Sequence, residues 1–435
     1  MKRTKELPDL VVADEKGNIF NIPQYKMTVS SAGCFLLPEF EDIISLPAGS
    51  DIFFLPEHSP VGYDEKNKKF FELSEWNNKK VNAVASFLAP AYMQYFLSAF
   101  KKRKDAPTLP FYAYTAIGWY KGRFVVTGTR TDKDPRQDPL KIDLKKVERL
   151  TRDILNSKLK KNRLVVHLLK NCVLLYGCPA ARNFVLGRYE CPLPTSNTCN
   201  ANCIACISEQ PCDSCVTAPQ DRIEFVPSPE EIAEVALFHI NRVKDPVVSF
   251  GQGCEGEPLL VYETIKDAIS IIRKNTEKGV INLNTNASMP ERLEKLFMKG
   301  LDSIRISINS FRKNMYNAYF RQKTYSFEDV LESAKITKKF SKWLSVNYFI
   351  FPGFTDTEDE FKSLRYFIKK FSPDMIQTRN LNIDPDLYIK SLKISSMPGF
   401  GLRNWLDKIK KESPSLAIGY FNPGKKFMRR YNHGI

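Results

Sequence analysis

Cys199-Asn200-Ala201-Asn202-Cys203-Ile204-Ala205-Cys206 places three thiols within eight consecutive residues. Thiolates gathered on one short loop suit an iron–sulfur cluster or zinc. Three protein ligands rather than four leave one coordination position open, and an open position separates a reactive metal from a structural one. The pattern of the chain also changes here. From about residue 187, strand-like and helix-like stretches alternate. Ser228 to Arg242 begins with Ser-Pro-Glu-Glu, a helix start with acid in its first turn. Val247 to Phe250, Val280 to Leu283, Ile304 to Ile308, Leu344 to Phe351 and Met375 to Leu381 read as strands. Val261 to Lys274, Pro290 to Lys299, Phe327 to Phe340 and Glu358 to Phe371 read as helices. Such repetition implies a parallel sheet with right-handed crossovers. About six units predict an α/β fold closed into a partial barrel, with sites at the C-terminal ends of its strands.

Upstream, residues 1–165 read as a β-rich α+β domain. Short apolar runs such as Ile52 to Leu55 and Arg123 to Thr127 lie between Gly, Pro and Asp turns. Val81 to Phe100 carries no charge and is long enough to span a bilayer. Its polar residues, Pro90, and the helical recurrence of Val81, Val84, Leu88, Tyr92 and Tyr95 predict a core-facing helical insertion instead. Asp143 to Leu169 predicts a helix leading into the next domain, whose bounds are set at 187–390. Residues 391–435 form a basic C-terminal extension. The chain has 435 residues and 43% hydrophobic content, enough for two or three cores and against wholesale disorder. The formal net charge is +16, with dense stretches at Lys141 to Arg163 and Lys408 to Arg430. A solvated surface or a face for RNA or another anionic substrate both fit that charge. Met1 to Leu10 is charged and does not read as a signal peptide, and a cytoplasmic location is expected.

The Cys-x3-Cys-x2-Cys spacing of Cys199, Cys203 and Cys206 resembles the radical S-adenosylmethionine (radical SAM) superfamily. The resemblance implies a [4Fe-4S] cluster on these three cysteines and S-adenosylmethionine chelated to its fourth iron. It implies reductive cleavage of that cofactor to a 5′-deoxyadenosyl radical, with an electron donor such as flavodoxin or ferredoxin. Later segments follow in the family's order. Gly256-Glu257-Pro258 is similar to the turn that binds the methionyl amino group, with Glu255 where the family has another glycine. Thr285-Asn286 is similar to the next strand end, and Ser307-Ile308-Asn309 to the one that contacts the ligand's carboxylate or ribose. Tyr348 to Gly353, with Phe351, is similar to the segment along the adenine, and Arg379 to Asn382 ends the sixth strand. Gly256, Glu257, Asn286, Ser307, Asn309 and Phe351 are therefore the expected cofactor-binding residues. Ala205 stands where the family usually has an aromatic residue.

Eight of the ten cysteines lie between Cys172 and Cys215. Cys212 and Cys215, with two of Cys172, Cys178, Cys191 and Cys254, read as an auxiliary metal site, a redox pair or free thiols. Cys254 is also a candidate to face the substrate. The four histidines show no ligand spacing. The function expected is a radical SAM enzyme acting on a protein, peptide or RNA. The competing reading is a non-catalytic iron–sulfur or zinc-binding module.

Overall fold

The computed structural model describes residues 6–212 and 214–432. Residues 1–5 of the charged N-terminal stretch, Asp213 of the Cys212-to-Cys215 segment and the last three residues of the C-terminal extension lie outside the described residues. The chain divides into two compact units. One comprises the residues up to Lys133 with Phe349–Leu364 and Thr378–Ser413; the other comprises Asp134–Tyr348, Arg365–Gln377 and the chain from Pro414 on.

The first unit is built on an antiparallel sheet of twelve strands among the described residues. Asp9–Asp14 pairs with Ile19–Met27, Lys79–Phe87 and Ile117–Tyr120. Val11 and Ala13 pack with Val84, Leu88, Ile117 and Val126 on one face, and Leu10 and Val12 with Ile22 and Val81 on the other. A strand buried on both faces reads as a continuous apolar run, and such a run is not told from a buried helix by periodicity. That ambiguity accounts for the correction at Val81 to Phe100. No helix forms there: the segment is strand Lys79–Phe87, a turn with Ala91 at φ +73°, and short strands Tyr92–Gln94 and Leu97–Ser98. Among the described residues no helix is long and apolar enough to cross a membrane.

The second unit carries the parallel sheet. Its strands run in sequence order: β1 (Glu190–Pro192), β2 (Val247–Phe250), β3 (Val280–Thr285), β4 (Ser303–Ile308), β5 (Trp343–Ile350), β6 (Met375–Asn380) and β7 (Ala417–Gly419). Helices alternate with them: α1 (Pro229–Arg242), α2 (Tyr262–Asn275), α3 (Pro290–Lys299), α4 (Lys313–Phe320), α5 (Phe327–Lys339) and α6 (Glu358–Phe371). This is the expected α/β partial barrel. β7 comes from the segment read as a C-terminal extension, and it extends the sheet beyond the six expected strands.

Side chains alternate across this sheet with period 2. Val248, Phe250, Ile281, Leu283, Ile304, Ile306, Leu344 and Val346 occupy one face and are buried. Ser249, Asn282, Asn284, Ser303, Arg305, Ser345 and Asn347 occupy the other. The polar face is hydrogen-bonded within and between strands. Asn282 Nδ2 donates to Asn284 Oδ1 at 2.9 Å, Ser303 Oγ to Asn282 Oδ1 at 2.8 Å, and Asn422 Nδ2 to Glu190 Oε1 at 2.8 Å. The starts of β5, β6 and β7 are apolar: Trp343, Met375 and Ala417 pack with Met428 and Tyr431 near the C-terminus. One end of the polar interior is thus plugged by hydrophobic contact, leaving the chemistry to the other.

Candidate functional site

The loop after β1 carries Cys199, Cys203 and Cys206. The turn after β2, residues 251–257, packs against its start through backbone hydrogen bonds. Gly256 N–H donates to the Ser196 carbonyl at 2.7 Å and Glu257 N–H to the Thr198 carbonyl at 2.8 Å. A Cβ on Gly256 would lie 1.8 Å from the Thr198 carbonyl oxygen, so glycine is required for this approach. Gly251, at φ +76°, has the same constraint: its Cβ would lie 1.7 Å from the Asn284 carbonyl oxygen. The far side of the loop is held by Asn202 N–H and Ile204 N–H, which donate to the Phe320 and Tyr319 carbonyls at 3.0 and 3.1 Å.

Two buried glutamates brace the turn. Glu255 accepts from the backbone N–H of Thr195, Ser196 and Gln252 and from the Thr195 hydroxyl, at 2.6–3.0 Å. It replaces the family's glycine with a clamp between the turn and the entry to the cysteine loop. Burial raises the pKa of its carboxyl above the ordinary value, against the pull of those donors. Glu257 accepts from Thr285 Oγ1 at 2.5 Å, Asn286 N–H at 2.8 Å and Leu259 N–H at 3.0 Å. Burial pushes its pKa up to about 7. Asn286 Nδ2 then donates to Asn200 Oδ1 at 2.8 Å, and Asn200 Nδ2 to Ser288 Oγ at 2.9 Å. Glu257, Asn286 and the cysteine loop form one connected network.

The three cysteines are partly buried among Ala201, Ile204 and Ala205, which are buried. Burial, with the nearby Glu257 charge, pushes the Cys199 thiol up to about 11. Burial and the other two sulfurs raise Cys203 as well. A bound metal reverses this, because coordinated thiols are deprotonated. Arg222 reaches the same loop, with Nη2 3.7 Å from Cys206 Sγ and Nε donating to Ser208 Oγ at 3.3 Å. Its charge favours the thiolate forms of Cys199 and Cys203. Among the described residues only His167, Cys172 and Cys254 bring three possible ligand atoms within 4.8 Å of one another. Soft donors, a cationic neighbour and an apolar wall fit an iron–sulfur cluster.

The structure brings Gly256, Glu257 and Asn286 together with the cysteine loop. Ser307 lies on the polar face of β4, in register with Asn347 on β5. Asn309 is buried and donates from Nδ2 to the Met315 carbonyl at 3.3 Å. Phe351 belongs to the first unit, where its ring packs 4.6 Å from that of Tyr388. Cys212 and Cys215 are exposed. Cys254 is buried against Cys172, which bears on its candidacy to face substrate. Sequence reading missed Arg222, whose sixteen-residue separation from Cys206 matches no motif. It missed the bracing role of Glu255, which shows only as a departure from the family pattern. His167, one of the four histidines without ligand spacing in the sequence, stands close to Cys172 and Cys254 in the structure.

Residues 193–364 match the sequence profile of the radical SAM superfamily, and it is this stretch of the chain that is similar to the family. The superfamily implies a [4Fe-4S] cluster and S-adenosylmethionine. Two relatives come from Methanocaldococcus jannaschii. The uncharacterized protein MJ0808 is 29% identical over 46% of this chain and 62% of its own length. The uncharacterized protein MJ0804 is 36% identical over 24% of this chain and 35% of its own length. The chain thus spans less than two thirds of either. Among solved structures, HydG, a maturase of the [FeFe]-hydrogenase, has 16% identity and a TM-score of 0.39, over 65% of this chain and 64% of that one. Streptococcus suis SuiB bound to precursor peptide SuiA has 14% identity and a TM-score of 0.38, over 56% and 53%.

Proposed function

We propose that this chain is a radical SAM enzyme whose cluster is held by Cys199, Cys203 and Cys206 and whose cofactor lies along Gly256, Glu257 and Asn286. The observation that carries the reading is the network joining Glu257, Asn286 and Asn200. It ties a carboxylate suited to an ammonium group to a loop with three cluster-type donors. When bound, the cluster and cofactor supply reductive cleavage of the sulfonium and a 5′-deoxyadenosyl radical. The chain's own part is positional. Glycines at 251 and 256 let backbone approach backbone, Glu255 fixes the turn, and Arg222 places positive charge beside the thiolates. The apolar wall of Ala201, Ile204 and Ala205 keeps water from the sulfurs. Within the second unit, Ser307 and Asn309 complete the proposed cofactor contacts.

The reading extends to a flavodoxin- or ferredoxin-type electron donor and to a protein, peptide or RNA substrate. A reducing cytoplasm suits ten free thiols. The test is cofactor binding by anaerobically reconstituted protein. Glu257→Ala is expected to keep its iron while losing about ten- to a hundredfold in S-adenosylmethionine affinity, the worth of one charged hydrogen bond. Unchanged affinity in that variant contradicts the placement of the cofactor.

A further inference from the structure

Cys254 lies in the turn that carries Gly256 and Glu257, yet its sulfur belongs to a different group. Cys172 Sγ and Cys254 Sγ are 3.9 Å apart, and a ring nitrogen of His167 lies within 4.8 Å of both. The three residues come from two separate parts of the second unit. His167 ends the helix Arg163–His167, and Cys172 lies in the π-helical stretch Leu168–Leu175 that follows directly. In an α-helix, residues five apart point about 140° away from each other. A π-helix bonds i to i+5 and brings such residues onto one face, and these rare turns recur at functional sites. The π-helix is what turns His-x4-Cys into a ligand pair.

From these distances we infer a second metal site, distinct from the cysteine triad, in which His167, Cys172 and Cys254 bind one zinc ion. Two thiolates 2.3 Å from a shared tetrahedral ion stand about 3.8 Å apart, and a thiolate and an imidazole nitrogen about 3.6 Å apart. The sulfur pair already stands at 3.9 Å. A disulfide needs the sulfurs at about 2.05 Å. A simple thiol–thiol contact explains the sulfurs but not the imidazole of His167, which is within hydrogen-bonding reach of the Cys254 thiol and has a ring nitrogen within 4.8 Å of both sulfurs. A metal ion uses all three donors. An entry path exists, because His167 also lines an open cleft with Lys160, Lys161, Arg163, Lys170 and Phe225. The two thiol protons leave as the ion binds. The bound ion pins the turn carrying Gly256 and Glu257 to the π-helix, and so fixes a cofactor-binding element from behind.

The site does not depend on the radical SAM reading, and metal analysis separates the two. Full-length protein purified anaerobically is expected to carry about one zinc per chain besides its iron. Cys172→Ser/Cys254→Ser is expected to lose the zinc and keep the iron, whereas Ala at 199, 203 and 206 removes iron and leaves zinc. His167→Gln leaves the thiol pair in place and so protects the test against a folding defect. It is expected to weaken zinc binding more than roughly a hundredfold, beyond the usual effect of removing an outer-sphere partner. X-ray absorption at the zinc edge of the unmodified protein is expected to show sulfur at about 2.3 Å and nitrogen at about 2.0 Å. Full zinc retention in the double serine variant, or a zinc spectrum with oxygen and nitrogen ligands only, overturns the assignment.

Discussion

A methyl group at position 256 would sit 1.8 Å from the Thr198 carbonyl oxygen, two backbones that cannot both stay in place. Gly256→Ala is therefore expected to push the cysteine loop away from the turn. The far-UV circular dichroism should be preserved, and iron bound after anaerobic reconstitution should fall to less than about half. The overpacking cost is about 1–3 kcal/mol. Full iron content in this variant would show that the turn does not position the loop. At this scale the cysteine spacing was legible because three thiols on one loop are local in sequence. Gly256 and Glu257 were legible through their neighbours. Arg222 and His167 were not. Arg222 meets Cys206 through a fold-back of the loop, and His167 meets Cys172 through a helix type that sequence periodicity does not announce.

Helix α1 begins with a capping box: Ser228 Oγ accepts from Glu231 N–H, and Glu231 accepts from Ser228 N–H at 2.8 Å. Glu231 also accepts from Arg163 Nη2 at 2.8 Å and from its backbone N–H at 3.0 Å, joining α1 to the helix that ends in His167. Hydrogen bonding to Arg163 holds the Glu231 carboxyl at about 2, below its ordinary 4.5. The folded state therefore favours the ionised form, and this stabilisation is present above pH 4.5 and lost as pH falls toward about 2. Glu231→Gln is expected to cost about 1–2 kcal/mol near pH 7, allowing for solvent screening at Arg163, with the gap closing at acid pH. Denaturant midpoints of the two proteins across pH 2–7 check this, and an equal gap at pH 2 contradicts it. The start of α1 was readable from Ser228-Pro229-Glu230-Glu231. Strand Lys79–Phe87 was not, because Val81, Ala83 and Ala85 are buried on one face and Asn82, Val84 and Ser86 on the other. A run buried on both sides carries no period.

The whole second unit is organised by one alternation, aliphatic toward the helices and polar across the sheet interior. The strand–helix order made that architecture legible from the sequence, and the superfamily match over 193–364 agrees with it. The seventh strand was hidden because Ala417-Ile418-Gly419 is too short to carry a pattern. The substrate was not legible, since fold does not set reaction and substrate contacts follow no fixed spacing. The central claim is that the cysteine loop and the Gly256-Glu257 turn together hold a cluster that cleaves S-adenosylmethionine. Its most direct test is anaerobic incubation of the reduced, reconstituted full-length protein with S-adenosylmethionine, measuring 5′-deoxyadenosine and methionine. The account predicts slow formation of both in equal amounts by the wild type and none by Cys203→Ala. Equal rates in the two proteins, with the cluster unchanged, would contradict it.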